Sequence, residues 1–205
     1  LKHGPQHRAQ QADGAWERVE MREMMDSRWL IVGFGSIGSA VGKRVQLLGG
    51  HVTGARRSPG PAEGADHIVP MALVKSELAQ ADIVLLSLPL TDETAGMVDA
   101  EFLSAMRPDA LLMNLGRGPL VDEAALLAAL DAGRPAFAAL DVTVEEPLPK
   151  DSPLWRHPKV AVTPHDSAAT AATYIRADET FLDNLQRYLA GEPLKHVVSP
   201  ETFAD

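Results

Sequence analysis

Cysteine is absent from this chain, aromatic residues make up only 5% of it, and long apolar runs are missing. Without cysteine, disulfides and cysteine-based metal sites are excluded and a reducing compartment is permitted. Scarce aromatics mean that a core must rest on Ala, Leu, Val and Ile. The net charge of −9 argues against a nucleic-acid surface, because phosphate binding requires clustered Lys and Arg. Apolar runs such as 83–86 and 124–130 are too short to cross a bilayer. We therefore expect a soluble cytoplasmic protein that binds neither nucleic acid nor membranes.

Regular structure is predicted from residue 28 onward, where short runs of Val, Ile and Leu alternate with helical patterns. This alternation is typical of βαβ units and predicts an α/β fold, a Rossmann-type doubly wound parallel sheet in three αβα layers. The predicted strands are 29–32, 51–54, 83–88, 110–114, 136–141 and 159–163, with a further short one near residue 68. The predicted helices are 36–48, 71–80, 122–132 and 168–190.

Two of these helices have clear end signals. Asp122 can cap the helix over 122–132, Gly133 can take the left-handed position after it, and Pro135 prevents its continuation. The last helix is followed by Gly191 and Pro193, which end it. Apolar residues recur along that helix at a spacing of three to four, at Ile175, Phe181, Leu182, Leu185, Tyr188 and Leu189.

The segment Gly33-Phe34-Gly35-Ser36-Ile37-Gly38 directly follows the first predicted strand and opens a helix. In that position, the first glycine allows a tight turn, the second lets a pyrophosphate approach the backbone, and the third lets helix and strand pack closely. Ser36 and Ile37 fall at the helix N-terminus, whose free N–H groups attract an anion. The spacing and its context therefore predict a dinucleotide-binding loop.

The second strand ends in basic residues where an NAD site would have an acid. A carboxylate at this position would bind the ribose hydroxyls of NAD, but the chain reads Arg56-Arg57-Ser58 instead. Two guanidinium groups and a hydroxyl suit a 2′-phosphate, which a carboxylate would repel. A solvated basic loop is the simpler alternative, but the preceding glycine loop favours NADP(H) over NAD(H).

Polar side chains follow each of the last three long strands of the predicted sheet: Arg117, then Asp141 and Glu146, then His165. Ligands of open α/β sheets bind outside the carboxyl ends of the strands, so these groups should converge near the reactive end of the cofactor. An arginine can clamp a carboxylate, a histidine can give its proton to a carbonyl oxygen as hydride arrives, and a glutamate can orient that histidine. This set predicts reduction of a 2-oxo acid.

The chain resembles the D-isomer-specific 2-hydroxyacid dehydrogenase family, and especially its glyoxylate/hydroxypyruvate reductase members. The resemblance spreads over most of 28–190 and is carried by the segments 31–38, 82–94, 113–123, 138–149 and 163–165. It implies that Arg117 binds the substrate, that Glu146 partners His165, and that His165 is the acid/base. It also implies that Asp141 binds the nicotinamide amide. The same resemblance implies that Leu88, Pro89 and Thr94 line the cofactor cleft.

The resemblance also carries expectations about organisation. Family members have a substrate-binding segment ahead of the cofactor domain, so we expect this chain to be a truncated form. It divides into a lead-in helix over 1–27, a cofactor domain over 28–190, and a tail over 191–205. Within the lead-in helix, residues 10–23 resemble the family's linker helix. A homodimer through the cofactor domain is expected. Two functions stay open: reduction of a small 2-oxo acid, and a nucleotide-sensing interaction module without turnover.

Overall fold

The computed structural model describes residues 4–58 and 60–197 and contains a seven-stranded sheet in which every pairing is parallel. Its strands are β1 (Arg28–Val32), β2 (His51–Ala55), β3 (His67–Val69), β4 (Ile83–Leu86), β5 (Leu111–Asn114), β6 (Phe137–Leu140) and β7 (Val160–Val162). The α-helices of these residues are α1 (Gly4–Asp13), α2 (Ser36–Leu47), α3 (Val74–Glu77), α4 (Ala100–Ala105), α5 (Glu123–Asp131) and α6 (Ala171–Ala190). The predicted doubly wound α/β fold is confirmed.

The strands lie in the order β3-β2-β1-β4-β5-β6-β7. The direction of winding reverses between β1 and β4, so the loops after these two strands diverge to opposite faces of the sheet. A crevice opens at such a switch point, outside the carboxyl ends of the strands. The dinucleotide-binding loop predicted after β1 therefore stands at the position where α/β sheets bind nucleotides.

The core is divided in two by the sheet, because alternate residues of each strand point to opposite faces. In β1, Leu30 and Val32 belong to one apolar cluster, which includes Phe102 of α4. Ile31 belongs to the other cluster, with Val45 of α2. Burial on both faces explains why β1 and β4 read as unbroken apolar runs rather than as alternating patterns.

Both helices with predicted end signals end as expected. The Asp122 side chain accepts a hydrogen bond from the Ala125 N–H at 3.0 Å and so caps α5. Gly133 follows α5 with a φ of +86°, and Gly191 follows α6 with a φ of +69°. Both values lie in the left-handed region that glycine adopts without a steric penalty.

Several boundaries differ from the predictions. The helix predicted over 71–80 is a 3₁₀ turn (Met71–Leu73), the short α3 and a second 3₁₀ turn (Leu78–Gln80), because apolar spacing does not distinguish tight turns from a continuous α-helix. The strand predicted over 83–88 ends at Leu86, where the chain leaves the sheet. Helix α4 was not predicted, since six residues are too few to show a helical period.

The lead-in was predicted to be helical and is so only in part. Helix α1 ends at Asp13, and Gly14 follows it with a φ of +65°. Residues 15–23 form no helix, so the comparison of 10–23 with a linker helix is wrong beyond Asp13. A left-handed glycine ends a helix by satisfying its last carbonyls, here through the N–H of Ala15 bonding to Gln10 at 2.8 Å. Residues 1–3 lie outside the described residues.

Helix α6 begins three residues later than predicted, after the cap Thr170, and none of its residues is buried. The apolar spacing along it is confirmed, but the six apolar side chains named above are between 42% and 77% exposed. Sequence periodicity correctly indicated a helix with an apolar face, yet it could not tell what that face contacts. Of the predicted tail, residues 198–205 lie outside the part of the chain that the structure describes.

Candidate active site

The glycine loop after β1 packs tightly against the loop after β4. Gly33 has a φ of +91°, and a Cβ added to it would lie 2.6 Å from the backbone nitrogen of Leu88. The Ser87 hydroxyl donates to the Gly33 carbonyl at 2.9 Å. Only glycine satisfies both the backbone angle and the close approach, so the first residue of the motif is explained by the geometry of the switch point.

The same loop is open toward the side where a phosphate would approach. A Cβ built on Gly35 meets no atom within 4 Å, which leaves its backbone accessible. Within the described residues, the N–H groups of Ser36 and Ile37 at the start of α2 have no hydrogen-bond partner. Free donors at the positive end of a helix dipole suit a pyrophosphate, so the local structure fits a dinucleotide.

A cleft of about 560 Å³ brings together eight of the predicted cofactor-binding residues. It is lined by Gly33, Gly35, Arg56, Arg57, Ser58, Leu88, Pro89 and Thr94, and by further side chains of the loops after β2, β3 and β4. Ser36, Ile37 and Gly38 are not among its lining residues and lie beside it at the start of α2. The cleft runs from the glycine loop to the arginines, so it can hold the phosphate and adenosine part of a dinucleotide.

The two arginines in this cleft differ in their surroundings. The Arg56 guanidinium donates to the Gly60 carbonyl at 3.1 Å, and its Nε is buried and unpartnered among the described residues. Arg57 is exposed and makes no hydrogen bond or ion pair within those residues. Arg57 is therefore available to an anionic ligand as it stands, whereas Arg56 also holds the backbone of its own loop.

The segment that follows the arginines is attached to α2 by a hydrogen bond, an ion pair and a close backbone contact. The Ser39 hydroxyl donates to the Glu63 carbonyl at 2.6 Å, and Lys43 forms an ion pair with Glu63 at 2.6 Å. A Cβ on Gly42 would lie 2.1 Å from the Gly64 carbonyl oxygen, so the two backbones touch directly. The helix that begins at the glycine loop thus also supports the arginine loop.

A second cavity, of about 520 Å³, lies outside the ends of β6 and β7 and holds Asp141, Glu146 and His165. His165 Nδ1 and Glu146 Oε2 are 2.8 Å apart. Because an ionised carboxylate only accepts hydrogen bonds, Nδ1 carries the proton of this bond and Nε2 points to the remaining space. His165 has a φ of +52°, and its N–H bonds to the Asp141 carbonyl at 2.8 Å. Such a conformation is rare for a residue with a side chain and is typical of functional sites.

The charges around the pair keep Glu146 ionised. The hydrogen bond from His165, the backbone N–H of Thr143 and the nearby Arg117 hold the pKa of Glu146 below its ordinary value, against a smaller opposing effect of desolvation. Arg117 is exposed beside this pair, and its own loop is ordered by Asn114, whose side chain donates to the Arg117 carbonyl at 2.9 Å. The arrangement can bind an anion at Arg117, next to an imidazole, which is a group that can give or accept a proton.

Asp141 forms the floor of this cavity and is only 4% exposed. Its carboxylate accepts from the Thr163 hydroxyl at 2.5 Å and from the N–H groups of Asp166 and Ser167, each at 3.2 Å. Burial alone would raise the pKa of Asp141, but these bonds and one from the Ser167 side chain outweigh it and lower the pKa. The visible role of Asp141 is to hold the loop that carries His165, and its contact with nicotinamide stays a prediction.

The comparisons with known proteins decide the family. The family model described as "D-isomer specific 2-hydroxyacid dehydrogenase, NAD binding domain" matches residues 1–167. The chain belongs to the D-isomer specific 2-hydroxyacid dehydrogenase family. The resemblance derived from its motifs is thereby confirmed.

Relatives within the D-isomer specific 2-hydroxyacid dehydrogenases cover more than one named activity. Over 168 residues the chain is 39% identical to glyoxylate/hydroxypyruvate reductase A of Salmonella typhi, spanning 80% of this chain and 52% of the relative. It is 39% identical over 162 residues to D-3-phosphoglycerate dehydrogenase of Mycobacterium bovis, spanning 79% of this chain and 30% of that protein. The chain thus spans about half or less of the length of these curated relatives.

A solved structure of the family is similar over nearly the whole chain. The D-isomer specific 2-hydroxyacid dehydrogenase of Xanthobacter autotrophicus Py2, in complex with NADPH and MES, superposes with a TM-score of 0.84 at 38% identity. The match covers 97% of this chain and 81% of that one. This neighbour binds NADPH, which agrees with a dinucleotide cleft at the switch point.

Several residues that shape this candidate site were not predicted from the sequence. Ser87 and Thr163 each donate one side-chain hydrogen bond to a predicted site residue, and the Asn114 side chain makes two hydrogen bonds to the loop that carries Arg117. Their positions directly at or after strand ends were the available signal, since polar residues there face the ligand edge of the sheet.

No helix among residues 4–58 and 60–197 is long and apolar enough to cross a membrane. The described residues also include no group of three or more side chains that could hold a metal ion.

Replacing Asp141 with asparagine is expected to lower the free energy of unfolding by about 1–3 kcal/mol at neutral pH, because an amide NH₂ would face donors in a buried site. The pKa of Asp141 is lower in the folded protein than its ordinary value of 3.8. Its stabilising contribution is therefore present above pH 3.8 and is lost as the pH falls through the folded value. Urea unfolding between pH 3 and 7 measures this. The difference in the free energy of unfolding between the parent and D141N should become smaller in acid. D151N, a variant at an exposed position, should show no such trend.

Proposed function

We propose that this chain supplies the cofactor-binding and proton-transferring part of an NADP(H)-dependent reductase of small 2-oxo acids, of the glyoxylate and hydroxypyruvate kind. The hydrogen-bonded pair of His165 and Glu146, with Arg117 beside it, carries the proposal. The name of the Salmonella typhi relative supports this substrate class.

Each polar residue has a separate task in this reaction. Arg117 binds the substrate carboxylate, which leaves the adjacent carbonyl oxygen near His165. When bound, the nicotinamide supplies the hydride that adds to the carbonyl carbon. His165 gives the proton on Nε2 to the carbonyl oxygen, so that the 2-oxo acid gains one hydride and one proton and becomes the 2-hydroxy acid. Glu146 holds the imidazole by its other nitrogen and stabilises its protonated form.

The preference for NADP(H) over NAD(H) belongs to the same proposal. The second strand ends at Ala55, and the residues after it offer the free guanidinium of Arg57 and the hydroxyl of Ser58 to the cleft. Within the cleft, the position of the NAD-type ribose acid is taken by Arg56. A 2′-phosphate would meet the guanidinium of Arg57 and the hydroxyl of Ser58 at this end of the cleft, which Glu93 also lines.

The finer organisation of the protein stays a prediction. It comprises a cofactor domain over 28–190, a homodimer formed through that domain and a cytoplasmic location. Binding of the nicotinamide by Asp141 also stays a prediction.

The protein encoded by the complete reading frame should oxidise NADPH with glyoxylate or hydroxypyruvate, followed by the absorbance of NADPH. The panel should also include phenylpyruvate, and D-3-phosphoglycerate in the oxidative direction, each with NADPH or NADH and their oxidised forms. We expect the highest kcat/KM with NADPH and a small 2-oxo acid, since Arg117 and His165 need only the carboxylate and the carbonyl.

The outcomes of this panel separate the alternatives. Turnover restricted to D-3-phosphoglycerate would keep the reaction class and reject the substrate. NADPH binding without turnover on any substrate would reject the enzyme and favour the nucleotide-sensing module. Equal kcat/KM with NADPH and NADH would reject the cofactor preference.

A further inference from the structure

Glu123, the first residue of α5, reaches the loop that carries Glu146. Its Oε1 accepts a hydrogen bond from the Val144 N–H at 2.7 Å. Glu123 and Val144 are 21 residues apart in sequence and follow different strands, β5 and β6. The bond therefore links the segment that contains Arg117 to the segment that contains Glu146.

Gly118 contacts the same peptide unit from its other side. A Cβ on Gly118 would lie 1.9 Å from the Thr143 carbonyl oxygen and 2.0 Å from its carbon. The peptide between Thr143 and Val144 thus packs its C=O side against Gly118 and donates its N–H to Glu123. Both contacts come from the stretch that begins immediately after Arg117.

The other face of this turn holds the catalytic glutamate. The Thr143 N–H donates to Glu146 Oε1 at 3.1 Å, and the other carboxylate oxygen, Oε2, binds His165. The side chains of Glu146 and His165 are 39% and 49% exposed, so burial does not fix them. Thr143, in contrast, is only 6% exposed. Rigidity of the pair must come from the loop backbone beneath it.

We propose that Glu123 and Gly118 are positioning residues that clamp the Thr143–Val144 peptide and thereby hold Glu146 against His165 at a fixed distance from Arg117. The catalytic consequence rests on the proposed function. Val144 is half exposed, so water can satisfy its N–H when Glu123 is removed. Loss of the bond should therefore loosen the loop without unfolding the domain.

E123A is expected to lower kcat about tenfold, because a small displacement of a catalytic group is costly to the rate. KM and the dissociation constant of NADPH should change less than about twofold, since binding uses other loops. E123Q keeps an acceptor oxygen and should retain at least about half of the parent kcat. The measurement is steady-state kinetics on the protein from the complete reading frame.

D122A is the matched control. It removes the cap of the same helix but leaves the bond to Val144, so it should lower Tm by about 2–4 °C while keeping kcat. An E123A variant with the parent kcat would overturn the proposal. Equal losses of kcat in D122A and E123A would also overturn it, because they would assign the effect to the stability of α5.

A second readout does not depend on turnover. The Nδ1 site of His165, which is bonded to Glu146, gives a signal in two-bond ¹H–¹⁵N NMR spectra, because these detect the ring nitrogens through the carbon-bound ring protons. We expect its signal to be lost or broadened in E123A and in G118A, and kept in E123Q and D122A. An unchanged signal in E123A and G118A would reject the clamp. Absence of turnover in the parent with all substrates would reject the proposed function alone, since the NMR result would still decide whether the clamp exists.

Discussion

H165Q is expected to lower kcat for reduction by about 10²–10⁴-fold, the range that a positioned general acid contributes. The glutamine amide can still donate a hydrogen bond to Glu146, but it has no acidic proton to give at the position of Nε2. Because His165 lies outside the cleft lined by Arg57, the dissociation constant of NADPH should stay within about twofold of the parent value. Single-turnover kinetics and NADPH fluorescence titration measure the two quantities.

Two further variants sharpen this result. H67Q makes the same change at an exposed site on strand β3 and should keep the parent kcat. The double variant H165Q/E146Q should lose little more activity than H165Q alone, because Glu146 acts through His165. Losses that multiply would show that Glu146 has an independent role, and a parent-like kcat in H165Q would remove His165 from the mechanism.

R57A is expected to raise the dissociation constant of NADPH about 10- to 150-fold and to leave that of NADH within about twofold. This range corresponds to about 1.5–3 kcal/mol for a hydrogen bond to a charged group. Arg57 has no partner among the described residues, so its replacement should remove the proposed contact with the 2′-phosphate without disturbing the protein. Isothermal titration with both cofactors checks this, and equal weakening of NADPH and NADH would assign Arg57 to the pyrophosphate or to the fold.

R56D should behave differently from R57A. It reverses the charge that is proposed to meet the 2′-phosphate, but it also removes the hydrogen bond to the Gly60 carbonyl. We therefore expect weaker NADPH binding together with a lower Tm. R44A is the matched control, because Arg44 lies on α2 and donates within its own helix. It should leave both cofactor affinities unchanged, which separates local contact from the general loss of positive charge.

The sequence predicted the sheet well because its central strands, such as β1 and β4, are buried on both faces and its strands are bounded by turn residues. Helix α5 was also predictable, since Asp122 and Gly133 act through bonds within a few residues. The segment 71–80 was not, because the choice between 3₁₀ and α turns depends on how Val74 and Leu78 pack beneath the sheet. For α6, periodicity indicated an apolar face but carried no information on what surrounds it.

In the candidate site, too, some features could be predicted from the sequence and others could not. Motif order and spacing pointed to His165, Glu146 and Arg117, and the structure brings the first two within hydrogen-bonding distance. The contact of Glu123 with Val144 could not be predicted, because its partner is distant in sequence and any backbone N–H could have served. Sequence reasoning therefore finds side chains that carry chemistry more readily than side chains that hold a neighbouring loop in place.

The attachment of the arginine loop to α2 has a consequence for engineering. Because the backbones of Gly42 and Gly64 are in direct contact, α2 fixes the distance between the glycine loop and the arginine loop, and so between the proposed diphosphate and 2′-phosphate sites. An NAD-type loop of another length, grafted between β2 and β3, would lose its support on Ser39 and Lys43 and would no longer end at the correct distance. If the arginine loop sets the cofactor preference as proposed, an exchange of that preference must transplant the loop together with the face of α2 that holds Ser39, Gly42 and Lys43.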